Sequence, residues 1–204
     1  MIAKRRSGKS FLCRDIMWHM RDIPVGMVIS PTEVASPFYR DFVPDLFIHG
    51  EYTPAKVAKF IRRQQKQNIR KEHSPGHDAR AFLIMDDCLY DNKWTKDPSI
   101  RNVFMNGRHY HMLYLLMMQY PLGIPPALRG NVDYCFLLKE NNTSNQRRLY
   151  EHYAGIFPTF DMFRTVLESC TDNYQCLVID NTSQSGRIED TVFWYKAENR
   201  HGFR

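Results

Sequence analysis

The sequence predicts an α/β fold in which a mainly parallel sheet is flanked by helices. Three observations support this prediction: apolar runs of strand length alternate with helical patterns, a glycine-containing loop directly precedes the first helical pattern, and the apolar run 81–85 ends in two adjacent carboxylates. Strands buried on both faces of a parallel sheet are apolar throughout, and the ligands of such sheets bind at the carboxyl ends of the strands. We therefore expect a ligand site where these two motifs meet the sheet edge.

The predicted strands and helices alternate along the chain. We expect strands over 26–30, 46–49, 81–85, 111–119, 134–139 and 176–180, with a last strand over 190–196 that ends the sheet. The helical patterns cover 9–20, 54–72, 98–108, 143–154 and 159–170. With 204 residues, the chain is expected to form a single domain over 1–204. Only Met1 and Ile2 precede the glycine-containing loop, so we expect most of the first strand of that domain to be missing at the N-terminus.

The glycine-containing loop AKRRSGKS, residues 3–10, is one glycine short of the phosphate-binding pattern GxxxxGK[ST], because Ala3 stands at the first glycine position. In such a loop, successive backbone N–H groups and the start of the following helix face the phosphates of a nucleotide. Lys9 would bridge the β- and γ-phosphates, and the hydroxyl of Ser10 would bind Mg²⁺. The predicted nucleotide-binding residues are Arg6, Ser7, Gly8, Lys9 and Ser10. A chance match of this short pattern is the alternative, so a second motif is needed.

The second motif is AFLIMDDC, residues 81–88, which is typical of a Walker B strand. Two adjacent carboxylates at the end of a buried strand are costly unless a cation or a reaction uses them. Asp86 is placed to hold Mg²⁺ directly or through water, and Asp87 to orient and polarise the attacking water. The alternative is a strand followed by an Asp-rich turn.

Three further side chains are candidate catalytic groups. Gln119 ends the apolar run 111–119 and fits a sensor position, where a polar side chain contacts the γ-phosphate or the attacking water. Arg108 and Arg129 lie near predicted strand ends, and either is a candidate arginine finger that would act on a neighbouring subunit's nucleotide. Arg5 and Arg6 offer an alternative within the same chain, and an ordinary salt bridge is the other interpretation of each arginine.

The helical pattern 54–72 carries a stripe of positive charge. Five basic residues recur at steps of three and four, opposite a thinner apolar set of Val57, Phe60, Ile61 and Ile69. Acidic residues are absent from this pattern before Glu72, so contact with DNA phosphates is one interpretation. The two alternatives are a solvated face and contact with an acidic neighbouring subunit. The candidate DNA contacts are Lys56, Lys59, Arg63, Lys66 and Arg70.

Composition agrees with an acidic partner. The formal net charge is +6, and the sequence has no apolar run long enough to predict a transmembrane span or signal peptide. Five cysteines without a CxxC pair predict free thiols in a reducing compartment. We expect a soluble intracellular protein.

Several motifs together resemble the genome-packaging ATPases of nucleocytoplasmic large DNA viruses, of the poxvirus, iridovirus and mimivirus type. They are AKRRSGKS, FLIMDDC, NGRHYHMLYLLMMQY, PPALRGNVDY and the pair CTDNYQCLVIDN and IEDTVFWYKA, in this order over nearly the whole chain. This family belongs to the FtsK–HerA branch of P-loop ATPases. The resemblance implies a RecA-like ASCE core that uses ATP and Mg²⁺ and forms a homo-oligomeric ring, a pentamer or hexamer. It also implies that Lys9 and Ser10 are Walker A residues, Asp86 and Asp87 the Walker B acids, and Gln119 the sensor.

The function implied by this resemblance is ATP-driven translocation of double-stranded DNA into a viral capsid. The implied partners are DNA and a capsid or inner-membrane protein of the virion, and the implied location is the virion or a cytoplasmic viral factory. Three alternatives stay open: a cellular-type FtsK/HerA DNA-pumping ATPase in recombination or segregation, a P-loop kinase, and a nucleotide-gated scaffold. Stimulation of turnover by duplex DNA separates a translocase from a kinase, and any turnover excludes the scaffold.

Overall fold

We analysed a computed structural model of the chain, which describes residues 1–74, 76–88 and 92–203. The chain forms two compact units. The first contains Met1–Ile16 and Met117–Asn199, and the second contains Met17–Leu116 and Arg200–Arg204. The helices are α1 (Lys9–His19), α2 (Pro54–His73), α3 (Pro98–Asn106), α4 (Pro126–Arg129), α5 (Thr143–Tyr153), α6 (Phe160–Cys170) and α7 (Ile188–Thr191). The strands are β1 (Gly26–Ile29), β2 (Ile48–His49), β3 (Ala81–Asp86), β4 (Met112–Met117), β5 (Tyr134–Leu137), β6 (Gln175–Asp180) and β7 (Val192–Lys196).

The second unit is built on a sheet whose strands follow the order β2-β1-β3-β4. Strand β1 pairs in parallel with β2, which follows it after two 3₁₀ turns, and with β3, which follows α2. Every residue of β1 and of β3 is buried, which explains why both strands are apolar up to Asp86, the last residue of β3. Helix α2 packs on this unit through Val57, Ile61 and Gln64.

The first unit contains an antiparallel sheet in the order β5-β6-β7. Strand β6 is the central strand, and four of its six residues are buried. Helices α5 and α6 belong to the same unit, and each begins at a side-chain cap: the side chains of Asn142 and Thr159 accept hydrogen bonds from the backbone amides of Asn145 and Met162.

Most predicted elements are present with small shifts of their ends, and two strands differ more. The expected strand 46–49 contains only Ile48 and His49, because residues 45–47 form a 3₁₀ turn directly after Pro44. The expected strand 111–119 ends at Met117, and His111 before it has a positive φ of 52° that does not belong to a strand. Gln119 therefore lies beyond the end of β4.

Candidate nucleotide-binding site

The phosphate-loop motif starts from a very short paired segment. Ile2 forms parallel bridges with Met118 on one side and Leu137 on the other. The amide of Ile2 donates to the carbonyl of Phe136 at 2.9 Å, and the amide of Ala3 donates to the carbonyl of Met118 at 3.0 Å. Residues 1–3 thus lie between the segments around Met118 and Leu137, and the loop follows directly after them.

The loop that follows turns back on itself. Arg6 and Gly8 have positive φ values of 60° and 95°, and the hydroxyl of Ser7 donates to the carbonyl of Lys4 at 2.6 Å. Alternation of left-handed and ordinary conformations turns backbone amides towards one side, which is the geometry of an anion-binding concavity. At Gly8 this backbone favours glycine, because a positive φ is energetically unfavourable for a residue with a side chain.

The ammonium group of Lys9 lies over the backbone of the same loop. It donates to the carbonyl of Ala3 at 2.6 Å and to that of Lys4 at 2.8 Å. Helix α1 begins at Lys9, and the amide of Leu12 donates to the carbonyl of Gly8 at 2.9 Å. The lysine and the start of the helix therefore frame one concave loop, the arrangement that binds nucleotide phosphates.

Ala3 replaces the first glycine of the motif without strain. It has no positive φ, and its side chain is buried in a cluster with Leu12, Leu138, Cys176 and Val178. The methyl group fills part of this core, which ties the beginning of the loop to α1, the end of β5 and β6. The left-handed positions of this loop are Arg6 and Gly8, so its backbone does not require a glycine at position 3.

Gln119 lies beside the start of the phosphate loop. It directly follows Met118, whose amide donates to the carbonyl of Met1 at 2.9 Å and whose carbonyl accepts from Ala3. The parallel pairing puts Gln119 and the loop at the same end of their neighbouring segments. A half-buried amide side chain at this place suits the sensor role predicted for it.

The two candidate arginine fingers have different surroundings. Arg129 is half-buried at the end of α4, and its guanidinium lies 5.7 Å from the centre of the Tyr153 ring. Burial raises the pKa of Tyr153, and the phenol donates to the carbonyl of Pro121 at 2.6 Å. Arg108 lies in the turn after α3 and is exposed. Arg129 thus has an aromatic partner within its own unit, and Arg108 is the more accessible of the two.

The two acids predicted to form a Walker B motif lie at the carboxyl end of β3, in the second unit. Asp86 is the last strand residue and is 7% exposed, and its Oδ2 accepts a hydrogen bond of 2.8 Å from the hydroxyl of Tyr39. Asp87 has a positive φ of 54°, so the chain turns sharply directly after the strand. Burial, together with the charges of Asp86 and Asp87, raises the pKa of the neighbouring Cys88 thiol to about 12.

A second buried carboxylate fixes Tyr39 in place. Glu33 is 3% exposed, and its two oxygens accept hydrogen bonds from the amides of Phe38, Tyr39 and Arg40 at 3.0 to 3.2 Å. These amides begin the 3₁₀ turn over residues 39–41, where a negative charge is favoured. Neither Glu33 nor Tyr39 was predicted, because Tyr39 contacts a strand residue 47 positions away and Glu33 contacts only backbone amides of the next loop, for which the sequence has no pattern.

The donor atoms suit a magnesium ion. The carboxylate of Asp86 and the hydroxyl of Ser10 are hard oxygen ligands, the kind that Mg²⁺ prefers. Within the described part of the chain, there is no group of three or more His, Cys, Asp and Glu residues that would form a complete protein cage for a metal. Ser10 lies in the first unit and Asp86 in the second, and each by itself offers the type of oxygen ligand that Mg²⁺ takes from proteins.

Helix α2 carries the predicted basic stripe with two differences. Lys56, Lys59, Lys66 and Arg70 are exposed, whereas Arg63 is half-buried and its guanidinium donates to the side chain of Gln64. Ile69, which was expected on the apolar face, is 57% exposed because it lies about 110° around the helix from the centre of the buried face. Gln64 belongs to that face instead, and its Nε2 donates to the carbonyls of Ala79 at 2.8 Å and Tyr110 at 3.2 Å.

Proteins of large DNA viruses are similar to this chain in sequence. The chain is 48% identical to uncharacterized protein L437 of Acanthamoeba polyphaga mimivirus over 205 residues, covering 98% of the chain and 72% of L437. It is 40% identical to uncharacterized protein 075L of Invertebrate iridescent virus 6, covering 96% of the chain and 75% of that protein. No family model matches the chain.

Solved structures share the fold at low sequence identity. The genome packaging NTPase B204 from Sulfolobus turreted icosahedral virus 2 in complex with ATP-gammaS is 16% identical, with a TM-score of 0.61, over 97% of this chain and 95% of that one. EssC from Geobacillus thermodenitrificans (ATPases 2 and 3) is 11% identical, with a TM-score of 0.64, over 95% of this chain and 38% of that one.

The fold is therefore shared with the genome packaging NTPase B204 and with EssC. It confirms the predicted α/β class, with parallel pairing in the sheet of the second unit and an additional antiparallel sheet in the first unit. The chain belongs to the family of large DNA virus proteins that includes L437 of mimivirus and 075L of the iridovirus. This membership, with the fold shared with a viral genome-packaging NTPase, confirms the resemblance inferred from the motifs. Among the described residues, none of the helices combines the length and apolar character of a membrane span.

Proposed function

We propose that this chain hydrolyses ATP to move double-stranded DNA into a viral capsid. The observation that carries the proposal is the loop of residues 3–10, in which Lys9 and the start of α1 frame a concave backbone beside Gln119. The fold neighbour B204, a viral genome-packaging NTPase solved with ATP-gammaS, supports both the nucleotide and the task. The viral relatives support a location in the virion or in a viral factory.

The residues of the loop would bind the triphosphate. Backbone amides around Gly8 would donate to the β-phosphate, and the Lys9 ammonium, which has three donors, would exchange the carbonyls of Ala3 and Lys4 for phosphate oxygens. A bound Mg²⁺ would neutralise charge on the β- and γ-phosphates, and Ser10 and Asp86 are the residues that would hold it.

The remaining site residues would act on the attacking water and on the developing charge. Asp87 would accept a hydrogen bond from the water and orient it, and Gln119 would contact the γ-phosphate or that water. Arg108 or Arg129 would stabilise the charge of the transition state on a neighbouring subunit's nucleotide in a pentameric or hexameric ring. Exposure favours Arg108 for this role.

Two substitutions test the division of labour in hydrolysis. Asp87→Asn keeps a polar side chain of the same size but cannot accept a proton, so Mg-ATP binding is expected to persist while turnover falls by at least about a hundredfold. Lys9→Ala is expected to abolish turnover by removing the charge that bridges the phosphates. Normal turnover in Lys9→Ala would refute the assignment of the phosphate loop, and loss of nucleotide binding in Asp87→Asn would refute the role given to that acid.

The exposed basic residues of α2 would contact the DNA backbone. Each phosphate contact contributes a slope of roughly 0.9 to the dependence of log affinity on log salt concentration. Replacing Lys59 and Lys66 by glutamine is therefore expected to lower this slope by about two for duplex DNA.

A matched variant separates local contact from general charge. Arg164→Gln with Lys196→Gln removes two exposed charges on α6 and β7, so both double variants lower the formal net charge of +6 by two. Equal slopes for the two variants would show that α2 does not contact DNA, and would return its stripe to the role of a solvated face.

A further inference from the structure

An exposed aromatic side chain lies against the glycine of the phosphate loop. Tyr174 is 73% exposed, yet its side chain is so close to Gly8 that a methyl group added there would lie 3.3 Å from Cδ1 and 3.8 Å from Cβ of the tyrosine. Gly8 is the residue before the lysine of the motif and the start of α1. Most of the Tyr174 ring is therefore open to solvent at the edge of the loop.

The backbone around Tyr174 is held in an uncommon conformation. Asn173 and Tyr174 have consecutive positive φ values of 52° and 61°, a conformation that L-residues other than glycine rarely adopt. The turn is fastened on both sides: Lys139 forms a 2.5 Å ion pair with Asp172, and Gln175 enters β6 opposite Lys196. Lys139 comes two residues after Leu137, which bridges Ile2, so the same segment supports the phosphate loop and this turn.

We propose that Tyr174 stacks on the base of the nucleotide whose phosphates the loop of residues 3–10 binds. This inference rests on the proposed function of that loop. An aromatic ring offers a flat face to any nucleobase, and such stacking strengthens binding without selecting one base. The position of the ring beside Gly8, its exposure and the two left-handed residues that present it are together explained by a ligand that carries both phosphates and a flat ring.

The test compares a nucleotide with its phosphate part alone. Calorimetry with a non-hydrolysable ATP analogue and with inorganic tripolyphosphate would be done on the wild type, Tyr174→Ala, Tyr174→Leu and Tyr174→Phe. We expect Tyr174→Ala and Tyr174→Leu to lower the affinity for the ATP analogue about tenfold, which corresponds to about 1.4 kcal/mol. The affinity for tripolyphosphate is expected to change by less than about twofold. Tyr174→Phe keeps the ring and is expected to bind both ligands as the wild type does.

A matched control and three outcomes separate this inference from the proposed function. Tyr134→Ala removes another exposed tyrosine of the same unit, three residues before Leu137 on β5, and is expected to change neither affinity. If Tyr174→Ala lowers the affinity for both ligands equally, the side chain only shapes the loop. If Tyr174→Leu binds the ATP analogue as tightly as the wild type, the aromatic face is not used. Either result overturns the proposed stacking. A wild type that binds neither ligand would refute the proposed function itself.

Discussion

The hydrogen bond between Tyr39 and Asp86 gives a prediction that can be worked out from the structure. Tyr39→Phe removes one hydroxyl that donates to Asp86 Oδ2 at 2.8 Å and changes little else in the shape of the side chain. Tyr39 is 1% exposed and Asp86 7% exposed, so solvent can replace the lost donor only in part. A hydrogen bond to a charged group contributes about 1.5–3 kcal/mol, so we expect the free energy of unfolding to fall by about 2 kcal/mol.

Urea unfolding followed by circular dichroism measures this change, and thermal unfolding checks it. For a chain of this length, a loss of about 2 kcal/mol corresponds to a drop of roughly 4–8 °C in Tm. Tyr110→Phe is the matched control in the same unit, because its hydroxyl makes only a neutral, partly buried hydrogen bond of 3.3 Å with Gln65. We expect that control to lose less than about 1 kcal/mol.

A double-mutant cycle isolates the pair. If Tyr39 stabilises the protein through Asp86, the losses in Tyr39→Phe and Asp86→Ala will not add, and the coupling energy will exceed about 0.5 kcal/mol. Additive losses, or a Tyr39→Phe variant as stable as Tyr110→Phe, would refute the view that Tyr39 orients the Asp86 carboxylate.

Three other predictions address the loop, the basic helix and the cysteines. Gly8→Ala forces an alanine to φ 95° and places its methyl group 3.3 Å from Tyr174, so urea unfolding should show a fall of about 1–2 kcal/mol in the free energy of unfolding. Gly130→Ala is the control, because Gly130 has a φ of −62° and open space around it, and it should be nearly neutral. Equal losses in the two variants would contradict a strained loop at Gly8. Gln64→Leu removes the buried donor to the carbonyls of Ala79 and Tyr110, so the free energy of unfolding should fall by about 2–3 kcal/mol. The loss should be well above that of the control Gln65→Leu. A nearly neutral Gln64→Leu would mean that Gln64 does not anchor α2. In a thiol-labelling time course on the folded protein, half-buried Cys170 should react first, because the other four cysteines, Cys13, Cys88, Cys135 and Cys176, are buried. Burial also raises the pKa of the Cys135 thiol to about 11 and that of the Cys88 thiol to about 12. Early labelling of Cys88 would contradict the packing at the end of β3.

Local patterns in the sequence were sufficient to predict most of the secondary structure. The continuous apolar run at β3 and the glycine before α1 predicted a buried strand and a strand-to-helix turn, and both are present. The ends of two strands were wrong because a proline at position 44 and a left-handed residue at position 111 act on their own neighbours rather than through periodicity. Ile69 shows that an apolar residue type does not by itself predict burial, because its side chain lies away from the buried face of α2 and is 57% exposed.

The support around the candidate site could not be predicted, because it depends on contacts that no local sequence pattern indicates. Tyr39 and Asp86 are 47 positions apart, and no local pattern connects them. Glu33 resembles any surface glutamate in the sequence, yet it is buried and satisfies three backbone amides. The place of Tyr174 beside Gly8 likewise requires the pairing of β5, β6 and the first three residues.

Steady-state ATP hydrolysis with and without linear duplex DNA tests the central claim most directly, with Lys9→Ala as the control. We predict turnover in the wild type, a clear increase on addition of DNA, and loss of both in the variant. Turnover that DNA does not change would contradict the translocase and favour a kinase-like enzyme, whereas a wild type without any turnover would contradict the enzyme and favour a nucleotide-gated scaffold.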